Sequence, residues 1–331
     1  MRAAVCRQFG PPESISVEDY YPAPALSDGS SVRVRVEAAA VNFPDVLFMA
    51  NQYQLTIPVP FIPGSEFAGV ITEVGDGISG FAIGDRVMGT TMVGAFAEEV
   101  VVAARSLSPI PDGVSAETAA AFGVAHRTAY HALRTIAEVT PGERLVVLGA
   151  GGGVGLAAVQ LGVVLGLDVT AVASSDEKLA VAASYGASRG INHRAFKDTA
   201  GDVRKALKDA FPDGTDVVID PVGGDLAEPA LRSLRWAGRF VSIGYAAGSI
   251  PKIPLNLVML KGCKILGFQM RDLSANVPDA VRRDEAELRE LLAAGKVTPH
   301  VGASFELSAA AAALRQVADG KAIGKVVLSV G

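Results

Sequence analysis

Leu145-Val-Val-Leu-Gly-Ala-Gly-Gly-Gly-Val-Gly155 is an apolar run that stops in five glycines and then resumes as a helix. Leu145–Leu148 reads as a buried strand, and Leu156–Leu165, long and rich in Ala and Leu, as a helix. A strand that turns through glycine into a helix presents backbone N–H groups that no Cβ screens. They lie at the positive end of the helix dipole, where a pyrophosphate can sit. Ala150, Gly152 and Gly155 occupy the three positions of the pattern G-x-G-x-x-G, so the first is Ala. The glycines alone fit a tight structural turn equally well. Context favours the dinucleotide reading, because the apolar run Asp168–Ala173 follows at the distance a βαβ unit requires.

The alternation continues outward from this stretch. Helix Glu177–Ser184, a short strand near Arg189–Asn192, helix Asp202–Ala210, strand Asp216–Ile219, helix Leu226–Leu234 and strands Arg239–Ile243 and Lys264–Gly267 predict a mostly parallel, doubly wound α/β domain. Upstream the texture is β-rich. Val32-Arg-Val-Arg-Val-Glu alternates as a half-solvated strand does, and many glycines divide short apolar runs between Gly64 and Gly94. Pro44, Pro58, Pro60 and Pro63 predict a loop-dominated crossing over Asn42–Pro63. Ser115-Ala-Glu-Thr marks a helix start, with Phe122–Ala137 as a second helical segment. After Gly267 come an amphipathic helix over Ala280–Ala294, another over Ser308–Ala318 and a closing strand over Lys325–Val330. These hold too few strands for a sheet of their own and are expected to return to the first domain. The expected division is 1–121 and 268–331 for the β-rich domain and 122–267 for the inserted one, with chemistry in the cleft between them.

A chain of 331 residues with 50% hydrophobic and 20% charged residues suits two domains and can bury a sizeable core. Its net charge of −5 argues against a nucleic-acid partner, and no block of like charge suggests a basic patch. Cys6 and Cys263 have neither metal-site spacing nor the density of a disulfide scaffold. With no apolar leader after Met1 and no apolar run of membrane-spanning length, a cytoplasmic location is expected. His126, His131, His193 and His300 are scattered, and nothing suggests a Ser-His-Asp arrangement.

Val41-Asn-Phe-Pro-Asp45, Pro63-Gly-Ser-Glu-Phe-Ala-Gly69, Val74-Gly-Asp-Gly77, Gly80-Phe-Ala-Ile-Gly-Asp-Arg-Val87, Gly94-Ala-Phe-Ala-Glu98, the glycine loop and Asp220-Pro-Val-Gly-Gly224 occur in that order. Together they resemble the medium-chain dehydrogenase/reductase superfamily, and within it the zinc-free, zeta-crystallin-like quinone oxidoreductases. The resemblance runs almost end to end. It implies a Rossmann doubly wound parallel sheet inserted in a β-rich, GroES-like catalytic domain, with nicotinamide in the cleft. It also implies a homodimer, for which the apolar stretch Ile253–Phe268 is the candidate surface; ordinary buried strand and loop explain that stretch equally well.

Zinc-dependent relatives carry a Cys and a His where this chain has Asn42 and Ser65, and the four-cysteine lobe expected after Gly89 is missing, so no metal is expected. Glu66 then reads as a hydrogen-bonded structural carboxylate. The cofactor is read at the end of the second strand, where an acid would select NAD. Ala173 stands there, followed by Ser174, Ser175 and, a turn later, Lys178, donors suited to a 2′-phosphate. Asp176 and Glu177 could pair with that lysine. The resemblance adds His193 against the adenosine phosphate and aims Thr128 at the nicotinamide. NADPH is the expected cofactor, held by Thr128, Ala150, Gly151, Gly152, Gly153, Val154, Gly155, Ser174, Ser175, Lys178, His193, Gly244, Tyr245 and Phe268.

The resemblance also places Asn42, Asp45 and Tyr53 near nicotinamide or substrate. The expected reaction is hydride delivery to a quinone or an α,β-unsaturated carbonyl compound, with Asn42 and Tyr53 as oxyanion donors and the proton coming from Tyr53 or water. Two alternatives stay open, a 2-enoyl thioester reductase and a protein that binds NADPH without useful turnover. No Lys or Arg lies between Asn42 and Arg86, which favours a small uncharged substrate, although Lys252 or Arg271 could reach a cleft rim.

Overall fold

The computed structural model describes residues 1–26 and 29–331. By contacts the chain divides into one unit of residues 1–124 and 298–331 and a second of residues 125–297.

The second unit is built on a six-stranded sheet. Its spatial order is Arg189–Asn192, Asp168–Ala173, Arg144–Leu148, Thr215–Asp220, Leu234–Ser242, Lys264–Gly267, and every neighbouring pair is parallel. Leu145, Val146, Val147 and Leu148 are all fully buried, as a central parallel strand covered on both faces requires. The order leaves Arg144–Leu148 in one direction and then reverses to Thr215–Asp220 on its other side. That reversal is the switch point at which open α/β sheets bind ligands. The glycine loop sits there.

The first unit holds a sheet in the order Val301–Glu306, Lys325–Ser329, Ser31–Val41, Glu66–Val74, Arg86–Thr90, Leu107–Pro109, with Glu99–Ala103 also pairing to Ser31–Val41. Lys325–Ser329 lies antiparallel to Ser31–Val41, in the register Val326 to Val41 and Ser329 to Ala38. Strands from early and late in this sequence therefore share one sheet. Its core is centred on Phe67, Phe96, Met49 and Ile71, all buried.

Several boundaries differ from the sequence expectation. Within the predicted loop Asn42–Pro63, Phe43–Met49 is a helix, with Pro44 in its first turn, where a missing N–H costs nothing, and Asp45 accepting the Asn42 N–H at 2.7 Å. The two predicted helical segments after Ser115 are one helix, Ala116–His131, extended by a π turn over Ala132–Ile136. Its start signal holds, since Ser115 Oγ accepts the Thr118 N–H at 3.1 Å. Helices Asn256–Lys261 and Met270–Asn276 and strand Val301–Glu306 had no expectation attached.

Residues 268–297 stay with the second unit, where the sequence suggested an earlier return. Helix Pro278–Ala293 is tied to the continuous helix by polar contacts. His131 Nδ1 lies 3.0 Å from Asp284, Tyr130 donates to Glu287 at 2.6 Å, and Arg127 pairs with Glu285. The amphipathic pattern assigns these charges no partner, and in the structure they hold the helix in place.

Candidate functional site

Two polar constellations stand out, one in each unit. In the second, Gly152 caps helix Gly153–Val164 with extended backbone, so the first free N–H groups of a twelve-residue helix begin at the loop. The glycines are required for different reasons. At Gly155 a Cβ would lie 2.0 Å from the Gly149 carbonyl oxygen, so this residue lets helix and strand approach. Gly149 has φ +62° and packs under Val222. At Gly152 the nearest atom to a Cβ would be 3.6 Å away, an ordinary van der Waals distance, so packing does not require glycine there. A pyrophosphate fits a glycine cradle of this kind.

Asp220 holds the opposite wall. Its Oδ1 accepts the Val222 and Gly223 N–H groups, both at 2.8 Å, which fixes the turn carrying Val222 against the loop. Burial pushes this carboxyl above its ordinary range.

The expected cofactor residues other than Thr128 all follow the carboxyl ends of the parallel strands. The loop from Ala150 to Gly155, with Gly151, Gly153 and Val154, follows Leu148; Ser174 and Ser175 follow Ala173; His193 follows Asn192. Gly244 and Tyr245 follow Ser242, and Phe268 follows Gly267. Thr128 is buried on helix Ala116–His131. The stem of Lys178 crosses Gly151, its Nζ reaches Ser174 Oγ at 3.3 Å, and its N–H is capped by Ser175 Oγ. Burial, then the charge of Arg194, lower the Lys178 pKa, with Glu177 opposing them; burial, Arg194 and Lys178 lower that of His193. Basic side chains that disfavour one another's charge around a strand end without an acid suit an anionic ligand. Arg194 was not anticipated, although a second base beside His193 was there to be read.

In the first unit, Asn42, Glu66 and Lys325 meet in a buried cluster, with the half-buried Ser65 beside them. Glu66 Oε1 accepts the Val124 N–H at 2.6 Å; its Oε2 accepts from Lys325 Nζ at 3.0 Å and Asn42 Nδ2 at 3.1 Å. Lys325 Nζ also donates to Asn42 Oδ1 at 2.6 Å. Glu66 and Lys325 are 1% and 4% exposed, so each is the partner the other requires. Asp45 lies in the same region. Burial pushes its carboxyl up to about 7; the Asn42 N–H, Ser65 and Lys325 pull the other way, while the charge of Glu66 adds to the rise. Tyr53 packs its ring on Phe48, centroids 4.5 Å apart. Amide, hydroxyl and carboxylate around an ammonium do not make a zinc site, which needs thiolate or imidazole donors and no competing cation.

Lys325 went unrecognised in sequence. Its one signal is a lone charge opening the apolar strand Lys325–Ser329.

Residues 28–112 match the alcohol dehydrogenase GroES-like domain and residues 153–286 the zinc-binding dehydrogenase domain. The chain is 36% identical, over 99% of its length and 92% of the relative's, to quinone oxidoreductase-like protein 2 of Bos taurus. Among solved structures, the quinone oxidoreductase of Thermus thermophilus, also determined in complex with NADPH, superposes with a TM-score of 0.84 at 35% identity, covering all of both chains. The Escherichia coli quinone oxidoreductase complexed with NADPH superposes at 0.90 with 26% identity, again over all of both chains. Fold and site thus define a medium-chain dehydrogenase/reductase. Within that superfamily the chain belongs to the quinone oxidoreductase family.

Proposed function

We propose that this protein is an NADPH-dependent, zinc-independent reductase of quinones or α,β-unsaturated carbonyl compounds. The observation that carries the reading is the set of Lys178, His193 and Arg194 around a strand end that bears Ala173 in place of an acid. The NADPH complexes of the two bacterial relatives support it. When bound, NADPH supplies a hydride. The loop from Ala150 to Gly155 holds the pyrophosphate on backbone N–H groups and the helix dipole. Lys178, Ser174, Ser175 and His193 hold the 2′-phosphate, while Gly244, Tyr245, Phe268 and Thr128 bound the remainder.

Asn42 and Tyr53 donate to the oxygen of the acceptor as negative charge develops there. Asp45 fixes the Asn42 backbone. The proton comes from the Tyr53 hydroxyl or from water. A homodimer fits the exposed Trp236, Leu255, Met259, Leu260 and Ile265 at the edge strand Lys264–Gly267. No helix among the described residues is long and apolar enough to cross a membrane. The buried free thiols of Cys6 and Cys263 fit a cytoplasmic setting.

The test is oxidation of NADPH and NADH against a quinone, an alkenal and a 2-enoyl-CoA in parallel, with Lys178→Ala and Tyr53→Phe beside the parent. NADPH preference lost in Lys178→Ala, with quinone or alkenal turnover, is the expected result. An NADH-preferring parent overturns the cofactor assignment. Thioester turnover abolished by Tyr53→Phe makes the protein an enoyl thioester reductase, and tight NADPH binding with no turnover makes it a binder.

A further inference from the structure

We infer that Lys325 is a positioning residue, whose ammonium fixes the Asn42 amide in the one orientation that leaves an N–H for the substrate oxygen. The inference rests on the reading of Asn42 as an oxyanion donor and adds the group that makes it one. A carboxamide has two edges of nearly the same shape, and its neighbours decide which edge faces where. Lys325 Nζ can only donate, so its contact at 2.6 Å requires the amide oxygen. Glu66 Oε2, already accepting from Lys325, serves as an acceptor, so its contact at 3.1 Å requires Nδ2. Both conditions hold in one orientation and fail together in the other.

The second amide hydrogen is left with weaker partners. Nδ2 approaches Ala40 O and Ser65 Oγ only at 3.4 Å each, at the far end of hydrogen-bond range. That N–H is the one a developing oxyanion can take. Were the amide turned over, its oxygen would face the negative charge instead. The cluster is sealed, Asn42 being 8% exposed and Lys325 4%, so solvent does not compete for either contact. The Val124 N–H on Glu66 Oε1 holds the carboxylate still while its other oxygen serves both partners.

The experiment is a double-mutant cycle of Lys325→Met and Asn42→Ala, read by kcat, by KM and by NADPH Kd. It is joined to the side-chain amide signal of Asn42 in a ¹H–¹⁵N spectrum, assigned by its loss in Asn42→Ala. Lys325→Met should lower kcat about 10- to 100-fold with NADPH Kd unchanged. The double variant should be no worse than Asn42→Ala alone, because the lysine acts through the amide. The Asn42 signal should move in Lys325→Met. Additive losses, or a kcat loss with an unmoved signal, overturn the inference.

Should Lys325→Met fail to fold, Lys325→Arg keeps the charge beside Glu66 and takes the same measurements. Signal and kcat changing together, or both staying as in the parent, support the link, whereas kcat lost beneath an unmoved signal breaks it. If none of the acceptors supports NADPH oxidation by the parent, the functional reading fails, and the amide spectrum still reports whether Lys325 orients Asn42.

Discussion

The glycine loop of the second unit and the lysine cluster of the first both manage charge, by opposite means. The loop has no polar side chains of its own to offer. It relies on backbone donors, and even a Cβ at Gly152 would touch nothing closer than 3.6 Å. The cluster relies mainly on side chains, brought together from segments far apart in the chain and buried, and neutralises its own carboxylate. Under the proposed function, the first receives an anion from outside. The other keeps an internal charge balance.

The sharpest way to break this contrast is to unbalance the sealed cluster. Glu66→Leu leaves Lys325 buried without its partner and should cost about 3–5 kcal/mol in urea unfolding, whereas Glu66→Leu with Lys325→Met should recover most of the loss. A single variant as stable as the parent would mean that the cluster is open to water. Next comes a pair within the loop. Gly155→Ala drives a Cβ against the Gly149 carbonyl and should destabilise by about 2 kcal/mol or more. Gly152→Ala should leave stability within about 0.5 kcal/mol while weakening NADPH binding about 10-fold. Equal effects of the two would erase the distinction between a packing glycine and a receiving one.

Lys178→Ala should raise the NADPH Kd about 10-fold and leave NADH binding unchanged, as titration calorimetry would show. A parallel loss for both nucleotides would move Lys178 away from the 2′-phosphate. The last prediction concerns Asp45. Its folded pKa of about 7 lies above the ordinary 3.8, so the fold holds this proton more tightly than the unfolded chain does. The stability it contributes is complete below the unfolded value and is lost as pH rises through the folded one. The Tm of the parent should therefore fall relative to Asp45→Asn between about pH 5 and about pH 8. A pH-independent difference would show that Asp45 stays ionised throughout.

The same contrast explains what could be read from sequence. The strand, turn and helix around Gly152 are contiguous, and their alternation with Asp168–Ala173 carries the parallel sheet, so fold and loop were legible together. Lys178 and the absent acid at Ala173 were legible because they follow the next strand directly. Lys325 was not, because 283 residues separate it from Asn42 and only strand pairing brings them together. Nor did local propensity announce that Pro44 begins a helix, since a proline in the first helical turn and one in a loop read alike. The length of the second unit was hidden in charges. Glu285, Glu287 and Asp284 on Pro278–Ala293 look like a solvent-facing set until Arg127, Tyr130 and His131 are seen opposite them.

The pairing of Lys325–Ser329 with Ser31–Val41 also sets an order of events on the ribosome. Asn42 leaves the exit tunnel before the whole second unit, and Lys325 after it. At synthesis rates of about 5–20 residues per second, the 283-residue gap lasts roughly 15 to 60 s. Throughout that interval Glu66 lacks its counter-ion and Ser31–Val41 keeps an unpaired edge along residues 38–41. The nascent chain thus carries a complete inserted unit beside an unfinished one. Its vulnerable surface is the edge that awaits the closing strand, and that edge is where a chaperone acting during translation would find purchase.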